Sequence, residues 1–468
     1  GIDGTTAGTI TANFANAATA ATLNVTNAAT AGVVNLVGAG LTSVAINSTV
    51  GANTLGGVVA AATVTAVTID AASNLTTGGI TGLAAANAAI TVKGAGAANI
   101  GTLAANVANV DASANLGGVT TTLNAATTTK FVGSAGNDVV TTGAVLAAGA
   151  SVDAGVGTAD RLVISGAHLT AAAGALYKGF EQVQVADGVS ADVSLLAANN
   201  TINTVIIADG GAATGVTGLS AAQAANVQIT SANATGAITI GLTGATTAGQ
   251  IDTVKAALTT STAAGVAQNS DLSGIVLAGV EKLELTANGT TAANSGTVTL
   301  TTAAATALDS IILKSAGVNS ITIAAGQTAT NLTVDASGST GNTTINASAY
   351  TVTTGAVLKG GSGNDTLTGG ANNDVIVGGA GTDSLTGGAG ANTFTFAKAD
   401  YASTSVTALS TAADIITDWA AGAGNKIDFG TTTLAAVAHT TAPVAGTAAV
   451  SATGLATFNG ADTTLAQQ

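Results

Sequence analysis

The most constraining feature of this sequence is a nine-residue repeat in its C-terminal part. Between positions 360 and 395 the pattern G-G-x-G-x-D-x-U-x, in which U is an apolar residue, occurs four times in tandem. Asp occupies the sixth position of the first three copies, at Asp365, Asp374 and Asp383, and Asn392 takes this position in the fourth. Four tandem copies in phase predict a stack of equivalent turns and short strands, as in repeat folds.

The spacing predicts where the acidic residues lie. Six Gly-rich residues form a turn, the next three form a strand, and two copies complete one coil of a parallel β-roll. Asp365 then lies over Asp383, and Asp374 over Asn392, about one strand spacing of ~4.8 Å apart. Two carboxylates at that distance repel by about 1 kcal/mol in water and about 3–4 kcal/mol near a protein surface. No Lys or Arg lies between positions 360 and 394 to neutralise them.

A bound Ca²⁺ would remove this repulsion, since carboxylate and carbonyl oxygens are its preferred ligands, whereas Mg²⁺ prefers a rigid octahedron and keeps its waters. Glycine in the turns allows the backbone carbonyls to approach one another closely. The sequence therefore predicts a set of calcium sites. The candidate ligands are the turn residues Gly361, Gly363, Asp365, Gly370, Asn372, Asp374, Gly379, Gly381, Asp383, Gly388, Gly390 and Asn392.

A degenerate version of the same repeat lies upstream. Residues 133–138 fit the first six positions, with Ser134 in place of the second Gly and Asp138 at the acidic position. Residues 154–160 fit with one inserted residue, end on Asp160 and are preceded by Asp153. If these two segments stack as coils, Asp138, Asp153 and Asp160 would add one or two calcium sites.

Short β-branched segments recur through the first part of the chain. Val44-Ala45-Ile46, Val67-Thr68-Ile69 and Ile90-Thr91-Val92 are spaced 23 residues apart. In each segment the first and third side chains share one face, as in a strand. One short strand at each period of about 20 residues favours a β-solenoid. A β-sandwich is the alternative, but it usually has longer alternating strands and aromatic core residues, and only 2% of this chain is aromatic.

The predicted fold is therefore all-β: an elongated parallel β-solenoid, interrupted and followed by β-roll segments, with few short helices. Ile251, Val254 and Leu258 have helical spacing and predict a short helix near 250–260. Glu181 and Glu281 occupy two similar Gly-[Phe/Val]-Glu segments, and for both we predict a structural rather than a catalytic role. We divide the chain into a solenoid at 1–130, a degenerate calcium coil at 131–165, a second solenoid at 166–354, a β-roll at 355–396 and a C-terminal region at 397–468.

Composition excludes several classes of function. The chain of 468 residues has a net charge of −14 with only 10 Lys and Arg, so it has no basic patch for nucleic acid, and divalent cations are its expected partners. It has no Cys, which excludes disulfides and thiolate metal sites. No apolar run reaches the roughly 18 residues of a membrane helix. Because the chain begins at Gly1 rather than Met, we expect that an N-terminal part has been removed or is not included in this sequence.

Enzymatic activity is not expected from the motifs. Only two His are present, His168 and His439, and neither has a partner at the spacing of zinc ligands. The sequence contains no H-E-x-x-H motif, no G-x-S-x-G elbow and no phosphate-binding loop.

The tandem nonapeptides resemble the RTX (repeats-in-toxin) calcium β-roll of proteins exported by type I secretion. Downstream, residues 414–419 (DIITDW) and 424–429 (GNKIDF) resemble the segment that commonly follows such rolls. Trp419 stands where Phe is usual and Asn425 where Asp is usual. The resemblance implies Asp414, Asp418 and Asp428 as further calcium ligands.

The order of solenoid, RTX-like coil, second solenoid and longer RTX roll, with the Ala-, Thr- and Gly-rich composition, resembles the Caulobacter-type bacterial surface-layer (S-layer) proteins. The resemblance implies a secreted protein that associates with itself into a calcium-dependent two-dimensional lattice on the surface of a Gram-negative cell. In that family an N-terminal domain binds lipopolysaccharide, which here would need a region outside this sequence. A secreted RTX adhesin or biofilm-matrix protein is the alternative, although large adhesins usually have near-identical tandem domains.

Overall fold

The computed structural model describes residues 2–6, 8–30, 32–104, 106–123, 130–186, 188–209, 214–231, 238–245, 251–258, 270–287, 298–303, 305–396, 414–419, 424–428, 449–450, 456–457 and 465–466. The described residues are almost entirely strands and turns, and they stack in parallel as a β-solenoid with few short helices. This confirms the fold class that the sequence predicts. Two compact units are present: Gly1–Ala208 with Thr214–Leu219, and Asp209–Ala213 with Ser220–Gln468.

The first unit consists of short strands joined by tight turns. Its strands are β1 (Ile2–Thr6), β2 (Ile10–Asn13), β3 (Ala20–Thr30), β4 (Val33–Val37), β5 (Ser43–Thr49), β6 (Asn53–Leu55), β7 (Gly57–Val59), β8 (Ala66–Ala71), β9 (Leu75–Thr77), β10 (Gly79–Thr81), β11 (Ala88–Gly94), β12 (Ala98–Leu103), β13 (Val107–Asn115), β14 (Val119–Leu123), β15 (Lys130–Val132), β16 (Val139–Thr142), β17 (Ser151–Asp153), β18 (Arg161–Ser165), β19 (Tyr177–Lys178), β20 (Gln182–Ala186), β21 (Ala191–Asp192), β22 (Thr204–Asp209) and β23 (Thr214–Leu219). Helix α1 (Ala171–Gly174) and 3₁₀ turns at Gly166–His168 and Val193–Leu196 interrupt them.

Strands of this unit stack in parallel, each pairing with its equivalent in the next coil. One stack includes β3, β5, β8, β11, β13, β15, β17 and β19, and the other includes β12, β14, β16, β18, β20 and β22. Val67 pairs with Val44 on one side and with Ile90 on the other, so the three β-branched segments spaced 23 residues apart are neighbours. Their first and third side chains are buried, because every second residue of a strand faces the interior.

The second unit has the same architecture, built from its own strands. They are β24 (Val227–Ser231), β25 (Ile238–Leu242), β26 (Thr253–Leu258), β27 (Ser270–Leu272), β28 (Lys282–Ala287), β29 (Val298–Thr301), β30 (Ser310–Lys314), β31 (Asn319–Thr322), β32 (Thr333–Asp335), β33 (Thr343–Asn346), β34 (Val357–Lys359), β35 (Thr366–Thr368), β36 (Val375–Val377), β37 (Ser384–Thr386), β38 (Thr393–Thr395), β39 (Ile415–Ile416), β40 (Lys426–Asp428), β41 (Ala449–Val450), β42 (Ala456–Thr457) and β43 (Leu465–Ala466). Helix α2 (Ala221–Ala224) begins at the capping box of Ser220 and Gln223.

Even-numbered strands β24 to β40 form one parallel stack of this unit, and odd-numbered strands β27 to β39 form the other. The interior between the stacks is filled mainly by Val, Ile, Leu and Ala side chains. A few fully buried aromatic residues widen it, among them Tyr350 and Phe394. Small side chains suit an interior that is only a few residues wide in each coil.

The prediction of a short helix near 250–260 is wrong. Residues Thr253–Leu258 form strand β26, which pairs with β28 in parallel, Val254 opposite Leu283. Val254, Ala256 and Leu258 face the interior, while Ile251 is 77% exposed. Ala256 supplies the alternate buried position, so the period is 2 and the helical spacing is coincidental. Among the described residues, neither α1 nor α2 nor any other helix is long and apolar enough to cross a membrane.

Candidate calcium-binding sites

The four nonapeptides form two coils of the second unit. Strands β35 and β37 pair in one stack and β36 and β38 pair in the other, so residues 18 positions apart lie side by side. The middle side chain of each strand is fully buried, in the order Leu367, Ile376, Leu385 and Phe394. These apolar residues fill the interior and thereby fix the acidic residue of each copy in the turn directly before its strand.

Backbone N–H groups hold the carboxylates of Asp365 and Asp374, each only 1% exposed. Oδ2 of Asp365 accepts a hydrogen bond from the N–H of Gly361 at 2.6 Å, and Oδ1 accepts one from Thr343 at 2.7 Å. The corresponding donors to Asp374 are Gly370 at 2.7 Å and Ala356 at 2.6 Å. The donor to Oδ2 is in both cases four residues before the Asp, so the turn itself supplies part of the carboxylate's surroundings.

The acidic position also links one coil to the next. The N–H of Asp365 donates to Oδ1 of Asp383 at 2.8 Å, and the N–H of Asp374 donates to Oδ1 of Asn392 at 2.9 Å. The structure thus places the residues of each predicted pair in adjacent coils. Asp383 and Asn392 are also buried, at 1% and 0% exposure.

Residues after the roll extend both of these columns. Oδ1 of Asp414 accepts a hydrogen bond from the N–H of Asp383 at 2.8 Å, and Oδ1 of Asn425 accepts one from Asn392 at 2.8 Å. The carboxylate of Asp418 instead accepts two hydrogen bonds from the glycine turn of the fourth copy, from Gly387 at 2.8 Å and Gly388 at 2.7 Å. Asp428 ends strand β40 with an exposed side chain, away from the acidic position.

Turn glycines of successive coils lie directly against one another. The pairs are Gly361 with Gly379, Gly370 with Gly388, Gly363 with Gly381, and Asn372 with Gly390. Gly379 has a φ of +105°, and a Cβ added to it would overlap the carbonyl oxygen of Gly361. That oxygen accepts a hydrogen bond from Ala380 at 3.0 Å. Glycine is therefore required both by the backbone conformation and by the close approach of a carbonyl oxygen.

Burial makes these carboxylates costly to ionise. It raises the pKa of Asp365 and of Asp374 above the ordinary range of a carboxyl group, and the backbone hydrogen bonds described above act in the opposite direction. Because desolvation disfavours the charged form, a positive charge close to the pair would favour ionisation again.

The oxygen atoms of the turns fit the requirements of Ca²⁺. No group of three or more His, Cys, Asp and Glu side chains that could hold a metal occurs in the described part of the chain, so carboxylates alone do not make a site. Asp365, Asp383 and the glycine carbonyls of the same turns would together provide the mixed oxygen ligands that Ca²⁺ takes. Asp374, Asn392 and their glycines would do so on the other side. The ion would supply the positive charge that lets the buried carboxylates remain ionised.

A second acidic column lies in the first unit, where the degenerate repeat was predicted. Asp138 is fully buried. Its Oδ1 accepts hydrogen bonds from the N–H of Val119 at 2.5 Å and from Oγ of Ser134 at 2.8 Å. Its Oδ2 accepts a hydrogen bond from the N–H of Ser134 at 2.6 Å. The N–H of Asp138 donates to Oδ1 of Asp160 at 2.7 Å, and the N–H of Asp160 donates to Oε2 of Glu181 at 2.9 Å. Burial raises the pKa of Asp138, and burial together with the charges of Asp138 and Glu181 raises the pKa of Asp160 to about 7.

Asp153 is not part of this column. It ends strand β17, which belongs to the other stack, and its Oδ1 accepts a local hydrogen bond from Gly155 at 3.1 Å. Of the three residues predicted for the degenerate coil, the structure therefore brings Asp138 and Asp160 together and leaves Asp153 apart.

Sequence reasoning omitted residues that continue the columns. Glu181 follows Asp160 in the first unit, and Asn425 follows Asn392 in the second. In the second unit the N–H of Asp252 donates to Oε2 of Glu281 at 2.8 Å, which repeats the bond between Asp160 and Glu181. The common signal is an acidic or amide residue directly before several strands of one stack, among them β16, β18 and β20, and it is visible only when the strands are aligned.

Residues 359–394 match the sequence model of the RTX calcium-binding nonapeptide repeat, in four copies. No curated protein matches the chain. The segment with the stacked carboxylates therefore consists of RTX calcium-binding nonapeptide repeats.

Proposed function

We propose that this chain is a secreted structural protein that assembles with copies of itself into a calcium-dependent two-dimensional lattice, an S-layer, on the outer surface of a Gram-negative cell. Type I secretion would export it, and it has no catalytic activity. Binding to lipopolysaccharide would anchor the lattice through a region outside this sequence.

The observation that carries this proposal is the burial of acidic residues without a neutralising side chain. Asp365 and Asp374 are each 1% exposed, and neither forms an ion pair with a described residue. The nearest Lys in sequence, Lys359, forms an ion pair with Asp335 at 2.9 Å. Calcium would therefore be needed to complete the roll. Such a protein would remain unfolded in the cytosol, where calcium is scarce, and would fold after export, where the ion is abundant.

The rest of the chain supports a structural role. Several outward-facing strand positions of the first unit carry short polar side chains, among them Thr22, Asn24, Thr68 and Thr91. Repeated surfaces of this kind are suited to repeated contacts. The low proportion of charged residues, 7%, limits the repulsion between copies that pack side by side.

A calcium titration of the EGTA-treated protein tests the proposal. Circular dichroism would follow the gain of β-structure, and negative-stain electron microscopy of the same samples would detect sheets. The matched control is a variant with Asp365→Asn and Asp383→Asn, which keeps the size and one acceptor oxygen of each side chain but removes two charges. We expect ordered sheets from the natural sequence in calcium and none from the variant.

Folding in calcium without sheets would contradict the lattice and favour the alternative, a secreted RTX adhesin or biofilm-matrix protein. A circular dichroism signal of β-structure that does not change with calcium in either protein would contradict the calcium dependence itself.

A further inference from the structure

The acidic column of the first unit contains a buried oxygen atom that the protein does not satisfy. Asp160 is fully buried, and its Oδ1 accepts the hydrogen bond from Asp138. Its Oδ2 has no hydrogen-bond partner of regular geometry among the described residues, although the backbone N–H of Gly157 interacts with the carboxylate. A buried carboxylate oxygen normally has a partner, so this atom indicates a missing ligand.

The length of the preceding turn explains the unsatisfied atom. In Asp138, Asp365 and Asp374, Oδ2 accepts a hydrogen bond from the residue four positions earlier. The residue four positions before Asp160 is Val156, which is 78% exposed and does not make this bond. The turn before Asp160 thus keeps the carboxylate in place but leaves one oxygen available.

No basic side chain of the described residues forms an ion pair with the column. Among the described residues the ion pairs, with N···O separations up to 4.0 Å, involve Asp70, Glu284 and Asp335, and none involves Asp138, Asp160 or Glu181. Arg161 follows Asp160 directly in sequence but is not within this distance of the three carboxylates. Three acids in adjacent coils are therefore linked through backbone N–H groups, with no counter-charge from the described residues.

The backbone closes around the column as it does in the roll. A Cβ added to Gly157 would lie 2.6 Å from Oδ2 of Asp160, and one added to Gly133 would lie 2.5 Å from Oδ2 of Asp138. In the roll, a Cβ added to Gly369 would lie 2.5 Å from Oδ2 of Asp374. Glycine in these turns leaves the carboxylate edge open to a small ion and to the surrounding backbone.

We propose that Oδ2 of Asp160 and the carboxylate of Glu181 hold a calcium ion in the first unit, at a site outside the residues that match the RTX repeat. Glu replaces the Asp or Asn of the nonapeptides as the ligand from the following coil. The site goes beyond the proposed function, since it requires neither a lattice nor the roll. Its role is to hold together the coils that contain β16, β18 and β20.

Counting bound ions in the full chain tests the site. The variants Asp160→Asn and Glu181→Gln keep the oxygen atoms that accept the hydrogen bonds from Asp138 and Asp160 but remove one charge each. Asp153→Asn is the matched control, because it alters a nearby Asp whose carboxylate lies outside the column. Equilibrium dialysis at fixed free calcium gives the number of ions per chain.

We expect Asp160→Asn and Glu181→Gln each to bind one ion fewer than the natural sequence, and Asp153→Asn to bind the same number. The fluorescence of Trp419, which packs near Phe394 in the roll, should respond to calcium equally in all four proteins. Equal ion counts in all four would overturn the proposal and leave Asp160 as a buried protonated acid. If Asp160→Asn does not fold, the ion count of Glu181→Gln alone tests the proposal. The side chain of Glu181 is only partly buried, so its substitution should leave the protein folded. Sheet formation plays no part in this measurement, so the result is independent of the proposed lattice.

Discussion

The backbone N–H of Asp365 donates a 2.8 Å hydrogen bond to Oδ1 of Asp383 in the following coil. The same side chain is thus a hydrogen-bond acceptor for one coil and a candidate ligand for calcium. Asn392 shows that an amide can perform the first task, because its Oδ1 accepts the equivalent bond from Asp374 at 2.9 Å.

Two substitutions of Asp383 should separate these tasks. Asp383→Asn keeps the acceptor and loses the charge, whereas Asp383→Ala loses both and leaves the buried N–H of Asp365 without a partner. We expect Ala to lower the free energy of unfolding by about 1–3 kcal/mol more than Asn does. Urea unfolding in saturating calcium, followed by Trp419 fluorescence, measures the difference. Equal stability of the two variants would contradict a role for the hydrogen bond.

Acidification should stabilise the metal-free protein. Burial and neighbouring charges raise the pKa of Asp160 to about 7 in the folded state, whereas an exposed Asp titrates near pH 4. The folded state therefore binds the proton more tightly, so the stabilisation is fully present below about pH 4 and is lost as the pH rises through about 7. Urea unfolding in EGTA should show that the free energy of unfolding falls by a few kcal/mol over this range. Each unit of difference between the folded and unfolded pKa values corresponds to about 1.4 kcal/mol.

Asp160→Asn provides the control for that pH dependence. The amide does not titrate, so the variant should show a flatter profile between about pH 4 and pH 7. Profiles of equal slope in the two proteins would assign the effect to other acids.

Gly379→Ala should destabilise the roll through two effects. Its φ of +105° is unfavourable for Ala, and the new Cβ would overlap the carbonyl oxygen of Gly361. Gly326→Ala isolates the first effect, because Gly326 has a φ of +83° and nothing within 4 Å of the added Cβ. We expect Gly326→Ala to lower the free energy of unfolding by about 1–2 kcal/mol. Gly379→Ala should lower it by about 1–3 kcal/mol more, because the added Cβ overpacks the turn. Thermal unfolding in calcium compares them, and similar melting temperatures would argue against stacked turns.

Charge substitutions distinguish strand β26 from the helix that its sequence spacing indicated. In the strand Val254 is fully buried and Ile251 is 77% exposed, whereas a helix packed through its apolar stripe would bury both. Val254→Asp should therefore lower the unfolding free energy by several kcal/mol, since it buries an unpaired charge. Ile251→Asp should leave it within about 0.5 kcal/mol. Comparable losses for both variants, measured by urea unfolding, would support the helix.

The parts of the fold that could be predicted are those with a strict period. Leu367 and Leu385 stack because a nine-residue repeat with one apolar position leaves a single register. The 23-residue spacing of Val44 and Val67 is similarly unambiguous. In β26 the apolar residues fit two periods, and the small Ala256 at the alternate position gave no hydrophobic signal to decide between them.

The column of the first unit was only half predictable for a different reason. Asp138 and Asp160 are 22 residues apart, and Asp160 and Glu181 are 21 apart, so turns of unequal length hide the alignment. Only paired strands show which acids share a column. The same irregularity placed Asp153 in the predicted set, although its strand belongs to the other stack.

Because one coil of the roll consumes two nonapeptides, one from each stack, the two columns alternate along the gene. Loss or gain of a single 27-nucleotide unit would move every later residue to the opposite side. A unit gained directly after the fourth copy, for example, would make Asp414 follow Asn392 instead of Asp383. Loss or gain of 54 nucleotides would return every residue to its original side. We therefore expect unequal recombination to leave an even number of copies in descendants of this gene, and the four copies present here obey that parity.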